Sequence, residues 1–555
     1  MKRMLIIAIV LLLSYPQLAL VCNETVSRDM VVPSVNDAGD GQLVAIKLKI
    51  REGDGTVYIA TAPIVGSLTQ ESGQTATQVA TEMTGHERNT CDVLLKIGEM
   101  ELSSIDGPSA GAAITLLLLS ALGNNTLRDD FTITGTIEPN GIIGPVGGIP
   151  IKAQAAADAG LDLLVTPYLS AEERIMLDVL GHGVNITIVQ VENIQEAERI
   201  AFSRGAPNIT GPKLRVVQVP SVPDMGFLNP KIIPFERIAR DIIEYARNDV
   251  DSMPEEQSEY KDYFSNQLDI AEDSVDKRYI YTGANTAFIT WIDIGFLKSS
   301  GVGRNEIEKR LDGIEECYQN ALDAKASRDN WEWVVGGQLR ASWAKKKISG
   351  INNESFKNQV KTLETLRDVT YAENWCVASK SLMDIEGRET IDLEMFKPIA
   401  IETIDAAEEY LHGRKDLFPD QNWHLEAAKQ EFDDGLYGAA VYDATYAIYM
   451  TKGYDYVVGG GDPIEIIETA NNIEYDSIWA NLYIGQAKYI ELQDRVGITP
   501  VQLSEFSNGL ENRTKVMYDT IENGGDSTVK ELFALVFITV LLVMVALAMA
   551  IMKRL

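Results

Sequence analysis

Histidine and cysteine are both scarce in this chain, four of each in 555 residues. Four cysteines are too few for a disulfide scaffold, and four histidines leave little material for a histidine-built metal site, so neither a metal nor a cofactor is expected. Positive charge is in short supply too: 49 Lys+Arg stand against 81 Asp+Glu, a formal net charge of −32. A surface that acidic repels phosphate backbones, which argues against a nucleic-acid partner. No G-x-x-x-x-G-K-S/T phosphate loop occurs in the 555 residues, so no P-loop nucleotide site is expected. A core is not lacking. With 45% hydrophobic and 23% charged residues the chain is an ordinary folded protein, long enough for about three or four domains.

Long apolar runs occur only near the two ends. Lys2 and Arg3 precede an apolar run over residues 4–13, the pattern of a secretory signal peptide or an N-terminal hydrophobic segment spanning 1–22. The residues before Cys22 match a lipidation site only faintly, because Val21 is large where a small residue is usual. Residues 532–552 carry no charge and are followed by Lys553 and Arg554. About twenty residues at 1.5 Å each cross a ~30 Å hydrocarbon core, and the basic pair favours the cytoplasmic side. The expectation is a single-pass protein of the cell membrane, with the bulk of the chain outside and its C-terminus in the cytoplasm. Sequons at Asn23, Asn124, Asn185, Asn208, Asn353 and Asn512 permit glycosylation, and Cys317 and Cys376 are able to pair in an oxidising compartment.

Six of the 19 prolines fall between Pro207 and Pro234, marking a linker over 206–234. Before it, short β-like runs alternate with helix-like ones. Residues 42–50 and 56–60 flank Glu52-Gly53-Asp54-Gly55, a hairpin signal. A helix is expected over 69–83, a strand over 92–97 and a small-residue helix from Ser109. Strand-like runs at 131–137 and 142–146 surround the turn Pro139-Asn140-Gly141, and a helix at 152–159 and strands at 162–166 and 186–191 complete an α/β (α+β) domain. After it, apolar residues recur at three- and four-residue steps through an all-α domain over 235–525. All seven tryptophans lie in that half, either as core between helices or as the lining of an aromatic groove.

One motif carries chemistry. Gly107-Pro108-Ser109-Ala110-Gly111 matches G-x-S-x-G, which presents a serine hydroxyl at a turn into a helix. A serine is a poor nucleophile until a base takes its proton. One candidate base is His182, with Asp158, Asp162 or Asp178 before it, giving a Ser-Asp-His esterase. The spacing from Ser109 to His182 is short for that fold. The other is Lys152 in Gly147-Gly148-Ile149-Pro150-Ile151-Lys152-Ala153. Its apolar neighbours and the positive end of a helix dipole would both lower the pKa of its amine.

The series Asp106-Gly107-Pro108-Ser109-Ala110-Gly111, Thr134-Gly135, Gly141, and Pro145-Val146-Gly147-Gly148 up to Lys152 resembles the proteolytic domain of Lon proteases, over roughly residues 32–205. The resemblance implies a Ser-Lys dyad endopeptidase acting on a protein or peptide. Ser109 would be the nucleophile, Lys152 the general base and Thr134 the hydroxyl that orients the lysine. Asp106 would be a supporting acidic residue, and the backbone N–H groups of Ser109 and Ala110 would form the oxyanion hole. It also implies a homo-oligomeric ring. Two departures stand out. The ATP-driven unfolding module has no counterpart here, which implies ATP-independent cleavage of unfolded, flexible or membrane-adjacent segments. Residues 97–105 also lack the family's usual histidine and Pro-Glu-Gly run. The alternatives are the esterase using His182 and a non-catalytic cell-surface binding or assembly protein on a peptidase fold.

Overall fold

Strict alternation builds the first sheet. In strand β2 (Gly41–Glu52) Val44, Ile46, Leu48 and Ile50 are buried while Lys47 and Lys49 are exposed. The computed structural model describes residues 22, 25–36, 39–60, 64–98, 104–105, 107–180, 185–203, 214, 216, 221–226, 229–493 and 497–523. The apolar runs 4–13 and 532–552, as well as Asp106 and His182, lie outside these residues. Among the described residues no helix is long and apolar enough to cross a membrane. The chain divides into two units, Met1–Val216 together with Asn358–Leu363, and the remainder.

In the first unit β1 (Val26–Val35) pairs antiparallel with β2, and β3 is Val57–Ile59. The hairpin expected at residues 52–55 does not form. Instead β5 (Cys91–Ile97) inserts between the two strands, antiparallel to β2 and parallel to β3, in the order β1-β2-β5-β3. The reason is Asp92, whose buried carboxylate accepts the N–H groups of Asp54 (3.0 Å) and Thr56 (3.3 Å) and pairs with Arg51 (3.2 Å). A buried carboxylate must fill its lone pairs, and here it does so by folding the loop over the start of β5. A short parallel pair, β4 (Ile64–Val65) with β6 (Ser104–Ile105), lies apart from that sheet.

Helix α1 is Ser67–Thr84 and helix α2 is Gly111–Leu122. Every residue of α2 from Gly111 to Ala121 is buried, so this helix is apolar all round and runs through the core. Each of its leucines from Leu116 to Leu119 contributes about 1.5–3 kcal/mol by leaving water. A second, all-parallel sheet has the order β7 (Phe131–Ile133), β8 (Leu163–Thr166), β9 (Thr187–Gln190). Helices α3 (Ile149–Asp158) and α4 (Ala171–Leu180) supply the crossovers, and α5 (Ile194–Ala201) follows. The strand expected at 142–146 is absent. Residues 134–148 form an irregular loop in which Thr136 N–H donates to the Gly144 carbonyl (3.2 Å) and Glu138 N–H to that of Ile142 (2.9 Å). Pro145 has no N–H to give a ladder, and Gly141 sits at φ 83°, so the segment cannot stay extended.

The second unit is helical: α6 (Ile233–Asp251), α7 (Ser258–Asp276), α8 (Ile280–Ser299), α9 (Arg304–Leu322), α10 (Trp331–Ile348), α11 (Gln359–Met383, in this unit from Glu364 on), α12 (Lys397–Leu411), α13 (Pro419–Asp433), α14 (Tyr437–Val458), α15 (Pro463–Asn471), α16 (Ile478–Glu491) and α17 (Ile498–Glu522). Start signals are local, as where Asp462 caps α15 by accepting the Ile464 N–H (3.0 Å) with Pro463 behind it. A two-residue antiparallel pair, β10 (Ala326–Ser327) with β11 (Thr390–Ile391), is also present. Six of the seven tryptophans divide between the two roles the sequence leaves open: Trp331, Trp333 and Trp479 are core, and Trp343, Trp375 and Trp423 line a cavity that also touches Trp479.

All four cysteines are paired. Cys317 joins Cys376 (Cα–Cα 5.9 Å), linking α9 to α11, and Cys22 joins Cys91 (Cα–Cα 5.3 Å) at the start of β5. Cys22, the last residue of the N-terminal segment expected over 1–22, is thereby covalently joined to the first unit. Replacing both Cys22 and Cys91 by serine is expected to destabilise that unit by about 2–4 kcal/mol, seen as a lower Tm in calorimetry. An unchanged Tm would show that the cross-link contributes nothing.

Candidate active site

Ser109 enters α2 through a single 3-10 turn, Pro108–Ala110, in which the proline presets the backbone. Two hydroxyls of α1 hold this turn: Thr69 Oγ1 donates to the Gly107 carbonyl (3.0 Å) and Ser72 Oγ to that of Pro108 (3.3 Å). From the other side Gly135 N–H donates to the Ser109 carbonyl (3.0 Å), and Ala112 N–H donates to the Gly135 carbonyl (3.1 Å). Two backbones meet this closely only where side chains are missing. A Cβ on Gly135 would stand 2.4 Å from Ile143 Cγ2, and one on Gly111 would stand 2.7 Å from Ile137 Cγ2. The glycines of Ser109-Ala110-Gly111 and Thr134-Gly135 are therefore one device.

Thr134 is buried, its N–H donating to the Val165 carbonyl (3.0 Å), so it continues the β7–β8 ladder by one residue. Its hydroxyl accepts a hydrogen bond from Lys152 Nζ at 3.2 Å. Lys152 lies in the first turns of α3, only 4% exposed among Ile149, Ile151 and Ala153. Burial lowers its pKa from 10.5 to about 8, against a weaker opposing pull from the carboxylate of Glu173. The amine is thus within reach of neutrality at physiological pH, as a general base requires.

The structure thus brings Thr134 and Lys152 into direct contact and ties Ser109 to that pair through the Gly135 backbone. Among the described residues no hydrogen bond joins Ser109 Oγ to Lys152 Nζ. Ser109 and Ala110 sit at the N-terminal end of α2, where the helix dipole favours negative charge. Asp106 and His182 are outside the described residues. Of the aspartates considered with His182, Asp178 pairs with Arg174 (2.8 Å) and Asp158 accepts from Gln154 (2.8 Å).

Against known proteins, the Lon protease (S16) C-terminal proteolytic domain matches residues 36–204. That span contains the serine, the threonine and the lysine. Residues 36–204 are a Lon-type proteolytic domain. A Lon protease 2 of Herpetosiphon aurantiacus is 29% identical over 201 residues, covering 34% of this chain and 24% of the relative. An archaeal Lon protease of Thermoplasma acidophilum is 29% identical over 152 residues, 27% of this chain and 22% of the relative. A Lon protease of Lawsonia intracellularis reaches 36% over 110 residues, 20% and 13%. The chain thus spans less than a quarter of the length of these curated relatives.

Around the Lon-type site, sequence reasoning missed three groups. Thr69 and Ser72 stand on a polar helix whose role in holding the turn has no local signature. Glu173 did have one: Ser170-Ala171-Glu172-Glu173 is a capping-box pattern. Ser170 N–H and Oγ donate to Glu173 Oε2 (3.0 and 3.2 Å), and Glu173 N–H donates back to Ser170 Oγ (3.2 Å). The same carboxylate accepts the Ile149 N–H at the start of α3 and faces Lys152, and burial raises its own pKa.

Two outcomes are expected. Between about pH 8 and 10.5 the folded chain holds fewer protons on Lys152 than the unfolded one, so stability rises with pH across that window, and the cost of burying the charge is fully present below it. Lys152→Met should accordingly be more stable than the native chain by roughly 2–4 kcal/mol at pH 7, a difference that vanishes towards pH 10.5 in denaturant titrations. The second outcome is kinetic. Thr134→Val should lower kcat/KM about 10–100-fold, whereas Glu173→Gln should move the rising limb of the pH–rate profile to lower pH, because it removes the charge that helps the amine keep its proton. A limb that stays in place would separate Glu173 from the base.

Proposed function

We propose that this chain is a membrane-anchored serine endopeptidase that hydrolyses unfolded or flexible protein segments outside the cell without ATP. The observation that carries this reading is the buried Lys152 amine, with a pKa of about 8, held by Thr134 and linked through Gly135 to the Ser109 turn. In this mechanism Ser109 Oγ attacks the peptide carbonyl carbon and passes its proton to Lys152 Nζ. The tetrahedral oxyanion is met by the amides of Ser109 and Ala110 at the start of α2. Collapse breaks the C–N bond, the leaving amine takes the proton from Lys152, and an acyl ester remains on Ser109. Water then attacks that ester, again giving its proton to Lys152, and the acid product leaves as Ser109 regains its hydrogen. Thr134 orients the lysine, and Asp106 is assigned a supporting role beside the nucleophile.

Export is supported by the pairing of all four cysteines, since such bonds persist in oxidising compartments. The uncharged run 532–552 followed by Lys553 and Arg554 supports a C-terminal anchor. The missing phosphate loop supports ATP independence, and a homo-oligomeric ring is the assembly that the relatives' family suggests.

The test uses the full chain in detergent micelles with an unfolded, fluorescently labelled model protein and no nucleotide. Cleavage is expected, and Ser109→Ala and Lys152→Arg should each reduce it by more than about a thousandfold. Full activity in either variant would overturn the dyad, and a strict need for ATP would overturn the nucleotide-free reading.

A further inference from the structure

Helices of the second unit line a half-open cavity of about 590 Å³ rich in aromatic side chains, with Trp343, Trp375, Trp423, Trp479, Tyr446 and Tyr483 among them. Its acidic groups are already engaged. Asp443 accepts from Trp343 Nε1 and pairs with His424 Nδ1, both at 2.9 Å, and Asp420 accepts from the Tyr446 hydroxyl at 2.8 Å. Its principal cation is not. Arg340 is 8% exposed and lines the cavity, yet among the described residues no carboxylate lies within 4.0 Å of its guanidinium. Its only hydrogen bond there runs from Nη1 to the Gly336 carbonyl (3.1 Å), which uses one of five N–H donors.

The guanidinium carbon lies 4.2 Å from the centroid of the Trp479 ring and 5.2 Å from that of Trp343. Stacking on indole faces fixes the plane of the group and leaves its edge for a partner. Arg340 also lines a second cavity of about 210 Å³, which shares Tyr281, Asn285, Trp343 and Trp375 with the first. The cation therefore stands where two aromatic-lined cavities share a wall. A guanidinium with unpaired N–H donors in an aromatic-lined cavity is favourably met by an anion.

We propose that this cavity is a binding site for an organic carboxylate with an aromatic or long apolar body. The carboxylate takes the free edge of Arg340 in a two-point hydrogen bond, and the body lies against Trp343, Trp375 and Trp423. An uncharged sugar would leave Arg340 unneutralised, and an inorganic anion would leave the aromatic walls wet. The carboxylate has two sources, a free small acid or the C-terminus of a peptide ending in an apolar residue. The inference does not rest on the peptidase reading.

The test is calorimetric titration of the full chain in detergent with 3-(indol-3-yl)propionate, with N-acetyl-Ala-Ala-Phe as the free acid and as its C-terminal amide, and with inorganic phosphate. At least one of the two acids should bind with a Kd below about 1 mM, and phosphate and the amide at least about tenfold more weakly. Which acid binds tells the source. Arg340→Met should weaken the acid at least about tenfold while near-UV circular dichroism stays native. The acid-against-amide comparison needs no variant, so it stands if Arg340→Met fails to fold. Absence of saturable binding by both acids, or equal binding of acid and amide, would overturn the proposal.

Discussion

An ammonium group in an apolar interior is held at a cost, and Lys152 is such a group. Among the described residues one hydroxyl, that of Thr134, meets it as a hydrogen-bond partner, its sequence neighbours Ile149, Ile151 and Ala153 are apolar, and the carboxylate of Glu173 faces it. The arrangement moves the amine towards neutrality, and much of the first unit serves to maintain it. The parallel sheet places Thr134 one residue past β7. The loop 134–148 returns the chain to Gly148, and α3 begins there so that Lys152 points inward rather than to solvent. Glu173 caps α4 and accepts the first amide of α3 with the same carboxylate, fixing two helix starts near the base.

The second unit holds another buried cation, Arg340, and the contrast between the two is chemical. A lysine amine relieves its burial by giving up a proton near pH 8, which makes it a base. A guanidinium has no such route. Arg340 packs on the rings of Trp343 and Trp479 and offers its remaining N–H donors to an anion from outside the fold. The same desolvation thus favours proton transfer in one unit and ligand capture in the other.

Much of this was legible in the sequence because it is local. Gly107 and Gly111 either side of Ser109, Gly135 after Thr134, the apolar surroundings of Lys152 and the helical periodicity after Pro234 are all written within a few residues. The features that escaped are those set by distant partners. The hairpin expected at 52–55 yields to β5 because Asp92, some forty residues on, gathers the loop amides. Thr69 and Ser72 reach the nucleophile turn across 38 and 36 residues of sequence. The partner of Cys22 is Cys91, 69 residues on, and no local pattern points to it. The strand expected at 142–146 failed for a local reason, its proline and glycines, which the periodicity alone did not weigh. Glu173 was within reach, since its capping box is a sequence pattern.

The central claim is that the fold lowers the pKa of the Lys152 amine from 10.5 to about 8 before any substrate arrives, so that a usable fraction is neutral near physiological pH. It is tested most directly by nitrogen-15 NMR of the lysine Nζ signals as a function of pH, with the Lys152 resonance identified by its loss in Lys152→Arg. A titration centred near pH 8 is the predicted result. A midpoint at or above the ordinary 10.5 would contradict the account and remove Lys152 as the base.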